Sequence, residues 1–301
     1  MSLEEAYPVN IKCKEKMDTT KQDLETIKEW LKKQPHLPDT WDDEMLMGYL
    51  RNCSFSLEKT KTKLDKYFTM KTALPEMFAN RDFTKPEFQK LLKLVEVGVM
   101  PGLNSDGYSV YAARLLASEN DDLDFSLVPK TILMICDIYI KKEVVGGPGD
   151  VFVVDASRFH LKYLAQITPT LAKNFFTFVN DAIAVKIKQF HIIRASAIVE
   201  FFIKFLSPFM KEKIRNRIHV HEDLDTLFDY VPKGLLPEEF GGTAGKLEKH
   251  MDEVLVAAYE YNSWLKGQED VKADETKRMG RSVNQDNLFG MDGSFKKLVI
   301  D

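Results

Sequence analysis

The stretch PKGLLPEEFGG, residues 232–242, places two adjacent glycines directly after an acidic pair and an aromatic residue. The chain has 15 glycines in 301 residues, so a consecutive pair points to a local backbone requirement. Glycine adopts positive φ without the steric penalty that a Cβ imposes. The pair therefore predicts a tight turn at Gly241 and Gly242, with a structural role and no part in catalysis.

The segments upstream of this turn alternate between strand and helix patterns. Runs of β-branched and aromatic residues predict strands, and longer segments with helical apolar spacing predict helices. The strands are expected at residues 108–116, 151–155 and 185–193, and the helices at residues 126–143 and 168–184. This order predicts an α/β fold on a mixed or mostly parallel sheet with helices around it.

Both ends of the chain are predicted to be helical additions to this domain. The first ~75 residues carry helical patterns but would bury too little surface to be stable alone, so we expect them to pack on the α/β domain. Residues 246–267 form an amphipathic helix that could dock on the domain or on a partner. The tail after it could fold back through Phe295, Leu298 and Ile300.

The bulk composition argues against several classes of protein. A net charge of −4 disfavours a general nucleic-acid binder, which needs a strong basic field. Cys13, Cys53 and Cys136 are odd in number and not closely spaced, which fits a reducing compartment and supports neither disulfides nor a thiolate metal site. The polar N-terminus and the lack of a long apolar run predict a cytoplasmic location.

Residues 195–217 contain a helix with an excess of apolar side chains. The first half has one narrow polar stripe, formed by Ser196, Glu200, Lys204 and Ser207. The remaining surface exceeds the roughly 100° apolar stripe that covers a one-sided core. The helix is therefore either buried on two sides or lines and closes an apolar cavity.

The same region is basic. Between positions 185 and 217, Glu200 and Glu212 are the only acidic residues. The same segment has eight basic residues: Lys186, Lys188, Arg194, Lys204, Lys211, Lys213, Arg215 and Arg217. Such a cluster is either a solvated face or, beside an apolar helix, a contact for an anionic membrane surface.

Taken together, these motifs resemble the CRAL-TRIO lipid-binding family. PKGLLPEEFGG is similar to the closing signature LPxEYGG of that family, with Phe240 where tyrosine is usual. QITPTLAK (166–173) resembles the start of the family's central helix, and PFMKEKIRNRIHVH (208–221) the segment after its mobile helix. The resemblance runs from about Trp30 to Gly242 and is nearest to the alpha-tocopherol transfer and retinaldehyde-binding branch, with insect-like features.

The resemblance implies a hollow α/β domain whose sheet floors an apolar pocket under a lid helix at residues 195–209. It divides the chain into an N-terminal helical module (1–75), a connecting segment (76–105), a CRAL-TRIO lipid-binding domain (106–243), and a C-terminal amphipathic helix and tail (244–301). The candidate wall residues, whose spacing also fits plain core, are Ile135, Ile138, Phe152, Val154, Phe176, Val179, Ile183, Phe190, Ile192, Phe202 and Phe205.

The branch is also similar in carrying a phosphoinositide headgroup site beside the lid. The resemblance places that site on four basic residues, which would hold phosphate by charge-assisted bonds: Lys186, Lys188, Lys213 and Arg217. A further arginine of the site, two residues beyond Arg51, falls on Cys53, so the headgroup preference of this chain stays open. Arg194 stands where the family commonly has asparagine, and HVHED replaces the usual HxHG.

The sequence predicts no catalytic residue, metal or cofactor. His219 and His221 lie at strand spacing without the further ligands that zinc needs. The glycine-rich GGPGD is not followed by the Lys-Ser or Lys-Thr of a P-loop. Asp155 and His160 keep a hydrolase as an alternative. A role in capping the loop explains Asp155 equally well.

We therefore predict a non-catalytic carrier of one small hydrophobic ligand that is tocopherol-, retinoid- or similar lipid-like. The carrier would transfer its ligand at phosphoinositide-containing membranes by peripheral, reversible contact, without nucleic acid or an obligatory protein partner. The alternative is a phosphoinositide-sensing adaptor that moves no ligand and recruits a partner through its C-terminal helix.

Overall fold

The computed structural model describes residues 17–142 and 148–280 of the chain. The start of GGPGD, at Gly146 and Gly147, and the terminal segment with Phe295, Leu298 and Ile300 lie outside these ranges. The predictions made for them therefore stay predictions.

A five-stranded sheet forms the centre of the domain. The strands, in both spatial and sequence order, are β1 (Val95–Leu103), β2 (Ser109–Leu115), β3 (Asp150–Asp155), β4 (Ile187–Ile193) and β5 (Ile218–His221). β1 and β2 pair antiparallel, whereas β2, β3, β4 and β5 pair in parallel. The predicted α/β fold with a mostly parallel sheet is confirmed.

The sequence patterns did not reveal β1, which lies in the segment expected to be a connection. Gly98 and Pro101 interrupt its pattern, and both residue types are depleted in strands. The strand tolerates Pro101 because it lies at the sheet edge, where one row of backbone groups has no partner strand. Its pairing register with β2 shifts between Val99 and Leu103.

Helices cover the sheet and form the N-terminal module. The first five are α1 (Met17–Lys32), α2 (Asp43–Asn52), α3 (Leu57–Ala73), α4 (Pro75–Phe78) and α5 (Pro86–Leu92). The others are α6 (Val128–Lys141), α7 (Leu161–Leu164), α8 (Pro169–Asp181), α9 (Ala197–Leu206), α10 (Glu212–Arg215), α11 (Leu224–Phe228), α12 (Leu247–Glu260) and α13 (Asn262–Gly267). One buried core joins α1, α2 and α3 to α6 and α8, so the module packs on the domain as expected.

The stretch PKGLLPEEFGG closes one face of the sheet, here called the rear face. On that face Val110, Val151 and Val153 are fully buried together with Leu236 and Phe240 of the stretch. A fully buried apolar layer of this kind is a packed core without accessible space.

The two glycines of this stretch meet two different requirements. Gly241 has φ 76°, the left-handed conformation that glycine adopts most easily. Gly242 does not share it: a Cβ there would collide with the carbonyl oxygen of Leu236, which is rigid backbone. The prediction that positive φ explains the pair is therefore correct for Gly241 and wrong for Gly242, where close chain approach is the reason.

We expect Gly242→Ala to lower the free energy of unfolding by about 2 kcal/mol or more, because the turn must shift to admit the methyl group. Urea unfolding of the variant measures the loss. Gly234→Ala is the matched control, since a Cβ at Gly234 meets no atom within 4 Å. Equal stability of the two variants would contradict the assignment of Gly242 to close backbone approach.

The C-terminal segment docks on the chain itself. α12 packs its apolar side, including Leu247 and Met251, into the cores of the domain. After α13, Gln268 accepts a hydrogen bond from Trp41 Nε1 at 2.8 Å through its side chain and one from Lys71 Nζ at 2.6 Å through its carbonyl. The amphipathic helix therefore docks on the domain, a choice that the sequence had left open. Its apolar side is covered by the chain itself.

Candidate functional site

A row of aromatic rings crosses the other face of the sheet, here called the front face. Tyr111, Phe152 and Phe190 are in register on β2, β3 and β4. Their ring centroids are 4.9 Å apart between Tyr111 and Phe152 and 6.0 Å apart between Phe152 and Phe190, with near-parallel planes. The strand period of two places these apolar rings on one side and the rear-face valines on the other.

Solvent-accessible surface persists on the front face of the central strand. Phe152 and Val154 of β3 are half-buried, whereas Val151 and Val153 on the rear face are fully buried. Ile135 of α6 and Phe175 of α8 are partly buried and pack against the same core as Phe152. Accessible surface at these positions is what the predicted pocket between the sheet and its helical cover would produce.

Cys136 of α6 supports the same interpretation. Burial raises the pKa of its thiol to about 12, yet its side chain is only half-buried by accessible surface. A thiol that is largely desolvated and still keeps accessible surface is what the wall of the predicted pocket would require. Its neighbour Ile135 is also half-buried.

The helix with excess apolar surface, α9, is loosely packed. Val199 is its only buried residue, and it contacts Ile192 of β4. Phe202 and Phe205 are half-buried, and Phe201 is 58% exposed. Burial on two sides is therefore excluded for this helix. Few buried apolar contacts are typical of elements that open locally. Residues 197–209 therefore stay the candidate for the predicted lid and are called the lid below.

The predicted wall residues fall into two groups. The half-buried ones are Ile135, Phe152, Val154, Phe176, Val179, Phe190, Phe202 and Phe205. The buried ones are Ile192, which is 7% exposed and packs in one cluster with Val199, and Ile138 and Ile183, each 1% exposed in the core shared with the N-terminal module. The assignment of all of them to a pocket wall stays a prediction.

An ion-pair bridge holds the far end of the lid. Asp181, at the end of α8, pairs with Lys211, just after the lid, and with Lys66 of α3 at 3.3 Å. The lid is thus tied through one carboxylate to both α8 and the N-terminal module.

Basic residues converge beside this bridge. Lys186 Nζ donates to Ser54 Oγ at 3.1 Å, in the loop between α2 and α3. Lys188 Nζ lies 5.2 Å from the ring centroid of Tyr108. Arg217 donates to the carbonyl of Ile187 next to them, and Lys213 is exposed on α10. The structure thus anchors three of the four predicted headgroup residues on or next to β4.

The N-terminal module adds three lysines that sequence reasoning missed. Burial lowers the pKa of Lys186, and the nearby charges of Lys188 and Lys59 lower it further. Burial likewise lowers the pKa of Lys63, with a further lowering from Lys66 and Lys211. Lys59 and Lys63 both lie near Cys53 together with Lys186, so the lysines of α3 extend the basic region around Lys186 and Lys188 toward Lys66 and Lys211. No local pattern signals this, because α3 and β4 are more than a hundred residues apart.

Cys53 lies at the inner side of this cluster. It is 5% exposed, and burial raises the pKa of its thiol. A residue at this position points into protein here, so it supplies no charge to the cluster, whereas Lys59 and Lys63 do. Lysines of the N-terminal module therefore add charge on the side where the resemblance would have placed a further arginine.

Three histidines meet on the rear face of β4 and β5. His191 Nδ1 is 2.8 Å from His221 Nε2, and His221 Nδ1 is 2.8 Å from Thr226 Oγ1. The ring of His219 lies parallel to that of His191, with centroids 5.1 Å apart. The sequence singled out His219 and His221 but missed His191, which only the pairing of β4 with β5 brings to them.

This cluster predicts acid sensitivity of the fold. Burial lowers the pKa of His191 to about 3, and the neighbouring His221 and His219 contribute. Because the folded state disfavours the charged ring, its stability is complete above the ordinary pKa of 6.5 and falls as the pH drops toward 3. We expect a loss of about 2 kcal/mol at pH 5 from this residue.

The measurement compares urea unfolding of the native chain and His191→Phe between pH 8 and pH 5. The comparison is needed because burial raises the pKa of Asp150 to about 6, which stabilises the folded state on acidification. We expect the variant to lose less stability than the native chain on acidification. Parallel pH profiles would contradict the role of His191.

Asp155 and His160, the residues considered for a hydrolase, make local contacts. Asp155 accepts hydrogen bonds from the Arg194 guanidinium and from the backbone N–H of Ser157, while the ring of His160 packs on Tyr163. Among residues 17–142 and 148–280, no group of three potential ligands could hold a metal ion. Over the same residues, no helix has the length and apolar character needed to cross a bilayer.

Comparison with known families finds two matches. Residues 95–242 match the family described as "CRAL/TRIO domain", and residues 16–88 match the one described as "Pinta-like, UBA domain". The first match spans the whole sheet and ends at Gly242, and the second covers the N-terminal helices.

The chain is also similar to several curated proteins. Human "Alpha-tocopherol transfer protein-like" is 27% identical over 237 residues, which covers 78% of this chain and 68% of that protein. Human "Clavesin-2" is 26% identical over 247 residues, covering 80% and 75%. "Clavesin-1" of Xenopus laevis is 24% identical over 237 residues, covering 77% and 71%. A solved structure titled "Crystal structure of Sfh5" covers 77% of this chain and 91% of its own at a TM-score of 0.44 and 12% identity, a similarity too low to carry an argument.

Proposed function

The chain belongs to the CRAL/TRIO domain family, and from this premise we propose that it is a lipid carrier that encloses one small hydrophobic ligand between the front face of its sheet and the lid. The observation that carries the proposal is the accessible apolar surface of Phe152 and Val154 in the interior, beneath a helix with a single buried residue. A packed core leaves no such surface.

The lining chemistry supports an apolar cargo. Aromatic and aliphatic side chains provide the floor and the lid, and burying apolar ligand surface there stabilises the complex by about 25 cal/mol per Å². A ligand that is enclosed in this way leaves slowly unless the lid opens. The ligand class, whether tocopherol-, retinoid- or otherwise lipid-like, is part of the proposal.

The basic cluster supplies the trigger in this proposal. Phosphoinositide headgroups would bind among Lys186, Lys188, Lys213 and Arg217 by charge-assisted hydrogen bonds. The cluster adjoins the Asp181 bridge, which ties Lys211 at the end of the lid. Phosphate groups that compete with Asp181 for Lys66 and Lys211 would release that end of the lid at an anionic membrane.

The experiment that tests the carrier role is organic extraction of the purified chain followed by mass spectrometry, with native mass spectrometry for the stoichiometry. We expect one dominant apolar compound at about one molecule per chain. Vesicles that contain the extracted compound then serve as donors in a transfer assay, with anionic and neutral acceptor vesicles compared.

Two other outcomes would replace the proposal. A chain that is empty, binds no lipid of a tocopherol, retinoid, sterol and phospholipid panel, and still binds phosphoinositide vesicles would be a headgroup-sensing adaptor. Turnover of an ester probe that depends on Asp155 and His160 would indicate a hydrolase. Internal docking of the C-terminal segment leaves the adaptor with fewer surfaces for a protein partner.

A further inference from the structure

Arg194 lies in the short segment that connects β4 to the lid. It follows β4 directly and precedes α9 by two residues, Ala195 and Ser196. The closed position of the lid therefore depends on the backbone of these residues, since hinges are a few positions between elements that absorb the change in φ and ψ.

The backbone of Arg194 is left-handed, with φ 55°. This conformation brings Cβ too close to the following carbonyl oxygen and costs free energy for every residue with a side chain except, to a lesser degree, asparagine and aspartate. A non-glycine residue keeps it only where its surroundings hold it in place. The side chain of Arg194 supplies such a restraint.

The guanidinium of Arg194 donates hydrogen bonds to two separate parts of the fold. Its NH1 donates to Asp155 Oδ2 at 2.5 Å, and its NH2 donates to the carbonyl of Glu239 at 2.9 Å. The planar, forked group can hold both anchors at once with fixed geometry, which a lysine cannot do.

Both anchors are themselves fixed. Asp155 ends the central strand, is 6% exposed at its side chain, and accepts the Ser157 N–H at 2.9 Å. Glu239 lies in the closing stretch, where its carboxylate pairs with Arg114 at 3.2 Å and accepts the Leu247 N–H at 2.9 Å. The clamp therefore ties the hinge to the sheet and to the closing stretch, which is itself anchored by the buried Leu236 and Phe240.

We propose that Arg194 is the positioning residue of the lid: its clamp on Asp155 and Glu239 holds the left-handed hinge that keeps α9 closed over the front face. This inference rests on the proposed function only in treating α9 as a lid. It assigns a second function to the closing stretch PKGLLPEEFGG. The Glu239 carbonyl of this stretch accepts a hydrogen bond from Arg194 and so fixes the hinge relative to the rear face of the sheet. The Asp181 bridge holds the other end of the lid and is independent of this clamp.

Amide hydrogen exchange measured by mass spectrometry on the full chain tests the inference without any ligand. We expect Arg194→Ala to accelerate exchange of the α9 amides about tenfold while exchange in β3 and α12 stays as in the native chain. Arg194→Lys keeps the charge but loses the fork and should accelerate α9 exchange as well. Arg158→Ala is the matched control, because its guanidinium bonds only to the carbonyl of Leu116 among the described contacts and lies off the hinge.

Arg194→Gly separates backbone strain from the clamp. Glycine adopts the left-handed conformation freely but cannot grip the anchors, so the clamp predicts faster α9 exchange in this variant too. Native α9 exchange in Arg194→Gly or in Arg194→Ala would overturn the proposal. Equal acceleration in α9, β3 and α12 in all three Arg194 variants would overturn it as well, since it would show a general loss of stability.

A transfer assay with neutral phosphatidylcholine vesicles and the fluorescent probe retinol keeps this inference apart from the carrier role. Faster α9 exchange in a chain that neither binds nor moves retinol or the extracted compound would uphold the hinge and reject the carrier. Efficient transfer, together with α9 exchange rates that are the same in the native chain and in the Arg194 variants, would uphold the carrier role and reject the hinge.

Discussion

We expect Val154→Trp to lower the affinity for the apolar ligand about fivefold or more while the chain stays folded. Val154 lies on the front face of the central strand and is half-buried, so the larger side chain can enter the proposed pocket without displacing the packed rear face. A ligand that competes with the indole must move the walls, and such overpacking costs about 1–3 kcal/mol, or roughly fivefold to 150-fold in affinity. Titration with the extracted compound measures the change.

A second variant and a surface control make this prediction specific. Ile135→Trp fills the same space from α6 and should have an effect of the same direction. Val256→Trp adds the same bulk on α12, where the native side chain is 66% exposed, and should leave affinity unchanged. Native affinity in both Val154→Trp and Ile135→Trp would mean that the ligand binds elsewhere.

The second large effect concerns the basic cluster. We expect simultaneous replacement of Lys186, Lys188, Lys213 and Arg217 by alanine to slow transfer to anionic vesicles severalfold to a hundredfold, with ligand affinity nearly intact. Each basic residue near an anionic surface contributes about 1 kcal/mol to membrane binding, and three of the four are partly engaged by the protein, so the combined loss is about 1–3 kcal/mol. The transfer rate to vesicles with and without phosphoinositide measures it.

The control removes the same number of basic residues, four lysines, elsewhere on the surface. The exposed residues for it are Lys33, Lys93, Lys246 and Lys249. The control should leave transfer to anionic vesicles close to the native rate, and added salt should slow the native chain more than the cluster variant. An unchanged rate in the cluster variant would reject the docking role of these residues.

The residues that share the front face of the sheet were predictable because a strand has a fixed period. Alternation in β3 and β4 places Phe152, Val154 and Phe190 on one face whatever surrounds the sheet. The deep burial of Ile138 and Ile183 was not predictable, because apolar spacing on a helix does not say which partner the face meets. In the folded chain that partner is the N-terminal module, which fills the space around them.

The residues that were missed have their partners far away in the sequence. Lys63 donates to the carbonyl of Ile183, a residue 120 positions later, and His191 meets His221 across a strand pair. No local pattern records such contacts, because each half of the pair has an ordinary neighbourhood. The clamp of Arg194 is of the same kind: its departure from asparagine was visible, but its two anchors were not.

The sequence by itself determined the order of strands and helices, the family, the closing turn and the excess apolar surface of the lid, because each of these depends on short-range steric and periodic rules. The tertiary structure decided which faces are packed and which are open, which lysines join the basic cluster, and how the lid is held at its two ends. Those features depend on packing contacts and ion pairs between side chains of distant segments, and only the folded chain brings these segments together.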